Sequence, residues 1–174
     1  MSQIWKEIEN LLDTAEKEFP NVKRGTGEWL KIAEKIEKRN IKKGEIVGTN
    51  ILCGTGKVEQ VDYILPILPT NENMLKIASI LEGKQQIVQY KAFNRELVTL
   101  HLYKNIKEMP VLYVTREVSS PDRYLIGYYN PLYYQIEPKE RERFVPTYFI
   151  TIRCFSEEGA KIVDKIASNF DIKA

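Results

Sequence analysis

The stretch GTNILCGTGKVEQVDYILP, residues 48–66, decides how the rest of the chain is read. Glycines at 48, 54 and 56 break two short apolar runs, and an aspartate, Asp62, sits inside the second run. Two chemistries use such a pattern: a phosphate-cradling loop, and the strand pair that carries acids in a nucleotidyl-transfer site. The phosphate loop fails on spacing. It needs Lys then Ser or Thr after its last glycine, followed by a helix whose N-terminus holds phosphate. Here Lys57-Val58 follows Gly56, and the chain runs on into a strand. Most simply, the glycines make tight turns between two strands.

Working outward, the N-terminal side is helical. Ile4, Ile8, Leu11, Leu12, Ala15 and Phe19 fall on one helical face, and Pro20 stops it. After the loop NVKRGTGEW, a second helix runs from about Glu28 to Arg39 with Leu30, Ala33 and Ile36 inward. Its Lys and Glu residues make a solvated face. Ile46, Val47 and the run 61–68 read as strands. Thr70 or Asn71 can cap a third helix through Met74, Ile77, Ala78 and Leu81.

Beyond Gln86 the period changes. IVQYKAF, ELVTLHLYK, MPVLYVTREV, RYLIGYY and PTYFITIRCF are β-branched and aromatic runs parted by Asn, Pro and Ser, so they read as strands. IEPKERERF links the last two, and its KERER is a solvated loop. Ser156 then caps a final helix with Glu157 and Glu158 in its first turn. Helices first, strands in the middle and one closing helix predict an α+β fold with a mostly antiparallel sheet. The expected organisation is a single domain over 1–174. It has a helical part to about 42, a strand-rich part over about 45–155, and a C-terminal helix over 156–170.

Composition agrees with a globular chain. The 174 residues are 43% hydrophobic and 29% charged, with a net charge of +2. So small a charge makes no general demand for nucleic acid, and any basic patch must be local. No apolar run is long enough for a bilayer, and the N-terminus lacks a signal core, so a cytoplasmic protein without a membrane partner is expected. Cys53, Cys154 and His101 form no zinc spacing and no disulfide framework, and no metal site is expected. His101 reads as a strand histidine bonded to a neighbour, and Cys154 as a strand core residue. Abundant Lys, Glu and Ile fit a thermophile, and equally a codon bias toward low GC.

Val47-Gly48-Thr49, ten residues, then Gln60-Val61-Asp62-Tyr63 resembles the nucleotidyltransferase motif, in which Gly-Ser precedes an Asp-x-Asp strand. VQYKAFNRELVTLHLYKNIKEMPVLYVT, residues 88–115, resembles the palm segment of family X DNA polymerases. There a strand carries the third carboxylate, and a second strand ends in Thr-Gly-Ser. The likeness covers roughly 45–124. Asp62 matches the second acid, but Gln60 stands for the first, Thr99 for the third, and Thr115-Arg116-Glu117 for the final turn. Nothing matches the family's helix-hairpin-helix modules.

Two-metal chemistry needs carboxylates around two Mg²⁺ ions. Glu59 and Glu96 are nearby acids, but strand alternation sends them to faces opposite Gln60 and Thr99. The resemblance therefore implies a degenerate module without catalysis, with Asp62 the one candidate catalytic residue. An active nucleotidyltransferase with displaced carboxylates and bound Mg²⁺ is the alternative within this class.

Ten tyrosines stand out, nine of them beyond residue 86. Aromatics on a sheet with interleaved cations form a stacking platform for single-stranded nucleic acid. The candidate residues are Lys91, Arg95, Lys104, Arg116 and Arg123 with Tyr124, Tyr128, Tyr129, Tyr133 and Tyr134. The plain alternative is that tyrosine suits strands, packing its ring while its hydroxyl reaches water. A third reading gives the tyrosine surface to a protein partner or a homo-oligomer. Basic surroundings favour nucleic acid, and a broad apolar patch favours protein.

Overall fold

The computed structural model describes residues 3–67, 71–81, 84–92, 95–103, 112–119 and 150–172. It is an α+β fold. The elements run α1 (Gln3–Glu18), α2 (Gly27–Glu37), β1 (Ile41–Lys43), β2 (Ile46–Leu52), β3 (Gln60–Leu65), α3 (Asn71–Ile80), β4 (Lys84–Ala92), β5 (Arg95–Tyr103), β6 (Leu112–Ser119), β7 (Ile150–Cys154) and α4 (Glu157–Asn169). The chain divides into two compact units, Met1–Tyr63 with Arg153–Ala174, and Ile64–Ile152. The division falls inside β3 and inside β7.

In the first unit the strands lie in the order β1, β2, β3, β7. β1 pairs antiparallel with β2, Lys42 opposite Val47. The link between β2 and β3 is far shorter than the dozen residues a parallel crossover needs, so these two form a hairpin. This is the strand-loop-strand expected around residues 48–62, preceded by α2. The hairpin is not at the edge of these strands, because β1 is; three residues of IKK are too short a run to announce a strand.

Helix α1 buries Ile4, Trp5, Ile8, Leu12 and Ala15 and rests on α2 and β1. α2 rests on β2 and buries Trp29, Ala33 and Ile36, at i, i+4 and i+7. Two expected core residues are outside it: Phe19 lies just beyond the end of α1 and is 45% exposed, and Leu30 is 49% exposed. In α2 the inward stripe is set by Trp29, one position earlier, because its larger ring removes more apolar surface from water. α4 begins at Ser156, whose Oγ accepts from the Gly159 N–H at 3.3 Å, as a cap should. Its Val163 meets Ile4, Ile46 and Tyr63 around a crevice of only about 10 Å³, room for a single water at most.

In the second unit β4, β5 and β6 form an antiparallel meander with β5 central. α3 begins at Asn71, which is therefore a helical residue and not the cap, and Met74, Ile77 and Leu81 are buried. No described helix is long and apolar enough to cross a membrane.

Candidate functional site

β3 is buried at every position from Val61 to Leu65. An acid in that run cannot reach water, and a lone buried carboxylate is too costly to keep charged. Asp62 is only 1% exposed, and its partner arrives from 91 residues away. Arg153 of β7 donates from Nε to Oδ1 at 2.9 Å and from Nη2 to Oδ2 at 3.0 Å. Asn50 adds a third donor, Nδ2 to Oδ2 at 2.9 Å. Two parallel charge-assisted bonds and one amide bond hold both carboxylate oxygens. Asn50 reaches that position from a left-handed backbone conformation, φ 46°, which asparagine tolerates better than most residues.

The turn of the hairpin is held just as closely. Arg24, in the loop before α2, donates to the Gly56 carbonyl at 3.2 Å and pairs with Asp13 at 2.7 Å and Glu16 at 2.6 Å. Gly56 has φ 92°, and a Cβ there would lie 2.4 Å from that of Arg24, so only glycine fits. The Cys53 N–H donates to Glu37 Oε1 at 2.8 Å. Burial, with Glu37 and Glu59 nearby, pushes the Cys53 thiol up to about 12. Burial also holds the Cys154 thiol well above its ordinary value, with Asp62 and Asp164 adding to it. Both cysteines are free and buried. Beside the hairpin, Glu34, Glu37, Lys38, Asn50, Gln60 and Arg153 line an open depression of about 520 Å³.

These residues do not fit the Mg²⁺ ions of the polymerase-like alternative. Asp62 has both oxygens committed to Arg153 and Asn50, and Gln60 donates to the Asn50 carbonyl at 3.4 Å. Among the described residues no three of His, Cys, Asp and Glu gather as a metal site. Thr99 lies in β5, whose partners are β4 and β6; it faces Val88 and Thr115.

The strand trio has a different character, visible in its register. Cross-strand partners share a face and successive residues alternate. Ile87, Leu100 and Val114 form one rank, and Val114 is fully buried. Leu102, Val98, Leu112 and Val118 share that apolar face by register. The opposite face holds the ranks Gln86–His101–Tyr113, Val88–Thr99–Thr115, Tyr90–Leu97–Glu117 and Ala92–Arg95–Ser119, with Lys84 opposite Tyr103. Three tyrosine positions, His101, Lys84 and Arg95 therefore lie together.

The candidate residues divide accordingly. Arg95 is on the tyrosine face. Lys91 and Arg116 are on the apolar face, Lys91 directly opposite Glu96. Lys104, Arg123, Tyr124, Tyr128, Tyr129, Tyr133 and Tyr134 lie outside the described residues. Arg153, Asn50 and Arg24 were not singled out from sequence. Arg153 did leave a signal: an aspartate inside the apolar run VDYIL is costly without a cation, and TIRCF carries one inside a strand. No protein-family model, curated protein or solved structure matches this chain.

Proposed function

We propose that this protein binds single-stranded nucleic acid without catalysis, on the tyrosine-bearing face of β4, β5 and β6. One observation carries the reading: by register, Tyr90, Tyr103 and Tyr113, all three tyrosines of these strands, share one face, and Lys84, Arg95 and His101 share it with them. A sheet that kept tyrosines only for packing would not need to sort them from its apolar face. Against these cations the face carries a single acid, Glu117, so its balance suits phosphate better than an apolar partner. The resemblance to a polymerase palm survives here only as a degenerate module, since Asp62 serves Arg153. The two reduced, buried thiols fit a cytoplasmic setting.

The test is fluorescence anisotropy with a labelled oligonucleotide. Single strand should bind better than duplex, because only unpaired bases offer free ring faces. Tyr103→Ala with Tyr113→Ala should weaken binding by about 1–3 kcal/mol for each base that stacks. Arg95→Ala should instead flatten the slope of log affinity on log salt by about 0.7, the loss of one phosphate contact. No binding at about 50 mM salt ends the reading.

A further inference from the structure

The two outermost described strands are built differently. β1 is three residues long, and two of them are lysines, the usual means of making an edge unattractive to other strands. β4 is nine residues long, and its one strand partner among the described residues is β5. It contains no proline, glycine or acid, and its two lysines stand at or near its ends. Among the described residues no strand pairs with its second edge, and an unpaired edge of this length offers a row of N–H and C=O groups as a template for another strand.

From this we infer that β4 joins a second copy of this chain, antiparallel, about a two-fold axis normal to the sheet. The geometry fixes the register. Such an axis carries each residue to the same face of the partner strand, so only residues of matching parity can stand opposite one another. Full overlap then sets Lys84 opposite Ala92 and Lys91 opposite Gln85, with Val88 facing Val88 on the axis. Every lysine meets a neutral residue. Parallel in-register pairing would instead stack Lys84 on Lys84 and Lys91 on Lys91, which like charges disfavour.

The interface stands without the nucleic-acid reading, but it changes what that reading predicts. The axis keeps the tyrosine faces of both copies on one side. Strands lie about 4.8 Å apart, so a platform of three strands about 10 Å wide becomes one of six strands about 24 Å wide. The dimer should then hold a longer oligonucleotide than either copy alone.

Sedimentation equilibrium across a concentration series tests the interface with no oligonucleotide present. The expected mass is twice the 20.3 kDa of the chain. Val88→Lys and Val88→Glu each set like charges against each other on the axis and should weaken the dimer by at least about tenfold. By register Val88 shares its face with Thr99 and Thr115. Mixing the two variants restores opposite charges across the axis, and the dimer should return. A wild-type chain that stays monomeric overturns the inference, as do two variants that both dimerise like wild type, or a mixture that does not recover. Oligonucleotide binding is then measured on wild type below and above the concentration at which it dimerises, with short and long single strands. Short strands bound equally at both concentrations, with longer strands favouring the higher one, join the two readings. Dimerisation with no binding of either strand removes the nucleic-acid reading and leaves the interface.

Discussion

β3 and β5 are both central strands, yet they treat polar residues in opposite ways. β3 is buried on both faces, so its single acid has nowhere to go but to a partner within the protein. β5 alternates: Val98, Leu100 and Leu102 take one face with buried Val114, joined near the strand's start by Glu96, and Arg95, Leu97, Thr99, His101 and Tyr103 take the other. The strand's surroundings, more than the residue type, decide what a polar group does. In β3 an aspartate stabilises structure. In β5 four of the five polar positions, Arg95, Thr99, His101 and Tyr103, lie on one side.

The sharpest way to break this contrast is to remove Arg153. Arg153→Met leaves Asp62 buried and uncompensated, and unfolding free energy should drop by about 3–5 kcal/mol, read from urea denaturation. Asp62→Asn should cost less, because Arg153 is 40% exposed and can turn to water. Equal losses for the two would mean that Asp62 is not as sealed as its position implies.

The buried thiols give an intermediate effect, with a sign that can be worked out. Cys53 ionises near 12 in the folded protein against 9.0 in the ordinary thiol. Between those values the folded chain holds a proton that the unfolded chain has lost. Stability from this thiol is therefore complete below pH 9 and declines as pH rises toward 12, by at most about 1.4 kcal/mol per pH unit. Urea midpoints of wild type and Cys53→Ala should keep a constant separation below pH 9, and the wild-type midpoint should fall relative to the variant's as pH rises above it. Curves that stay parallel above pH 9 would show the thiol exposed.

The smallest effect belongs to the strand trio. Tyr113→Ser lies on the polar face of β6 and should change stability by no more than about 0.5 kcal/mol, the range of surface substitutions. A loss of several kcal/mol on thermal denaturation would mean that this face is core, and the contrast with β3 would collapse.

What could be read in the sequence follows the range of the signal. Helices α1, α2, α3 and α4 were legible because periodicity and caps are local: Pro20 comes just after α1, and Ser156 caps α4. The strands of the meander were legible for the same reason. Leu30 was misjudged because Trp29, its neighbour, competes for the same stripe. The edge strand β1 was missed because three residues carry no period. The Asp62–Arg153 pair was out of reach of any window, since its members are 91 residues apart. The sorting of Lys91 from Arg95 required the register, which no single strand displays.

That separation along the chain has a consequence for how the protein comes into being. A ribosome completes α1, α2 and the β2–β3 hairpin long before it reaches Arg153. Until then Asp62 has no guanidinium, and β3 lacks the neighbour that β7 supplies. Closing so long a loop costs little at equilibrium, since each doubling of length adds only about 0.6 kcal/mol. It costs time instead, because contacts distant in sequence form late. The N-terminal unit is thus a structure whose last strand is delivered after another whole unit has been synthesised, and its nascent form must wait, with a charged strand open to water, until β7 has been made.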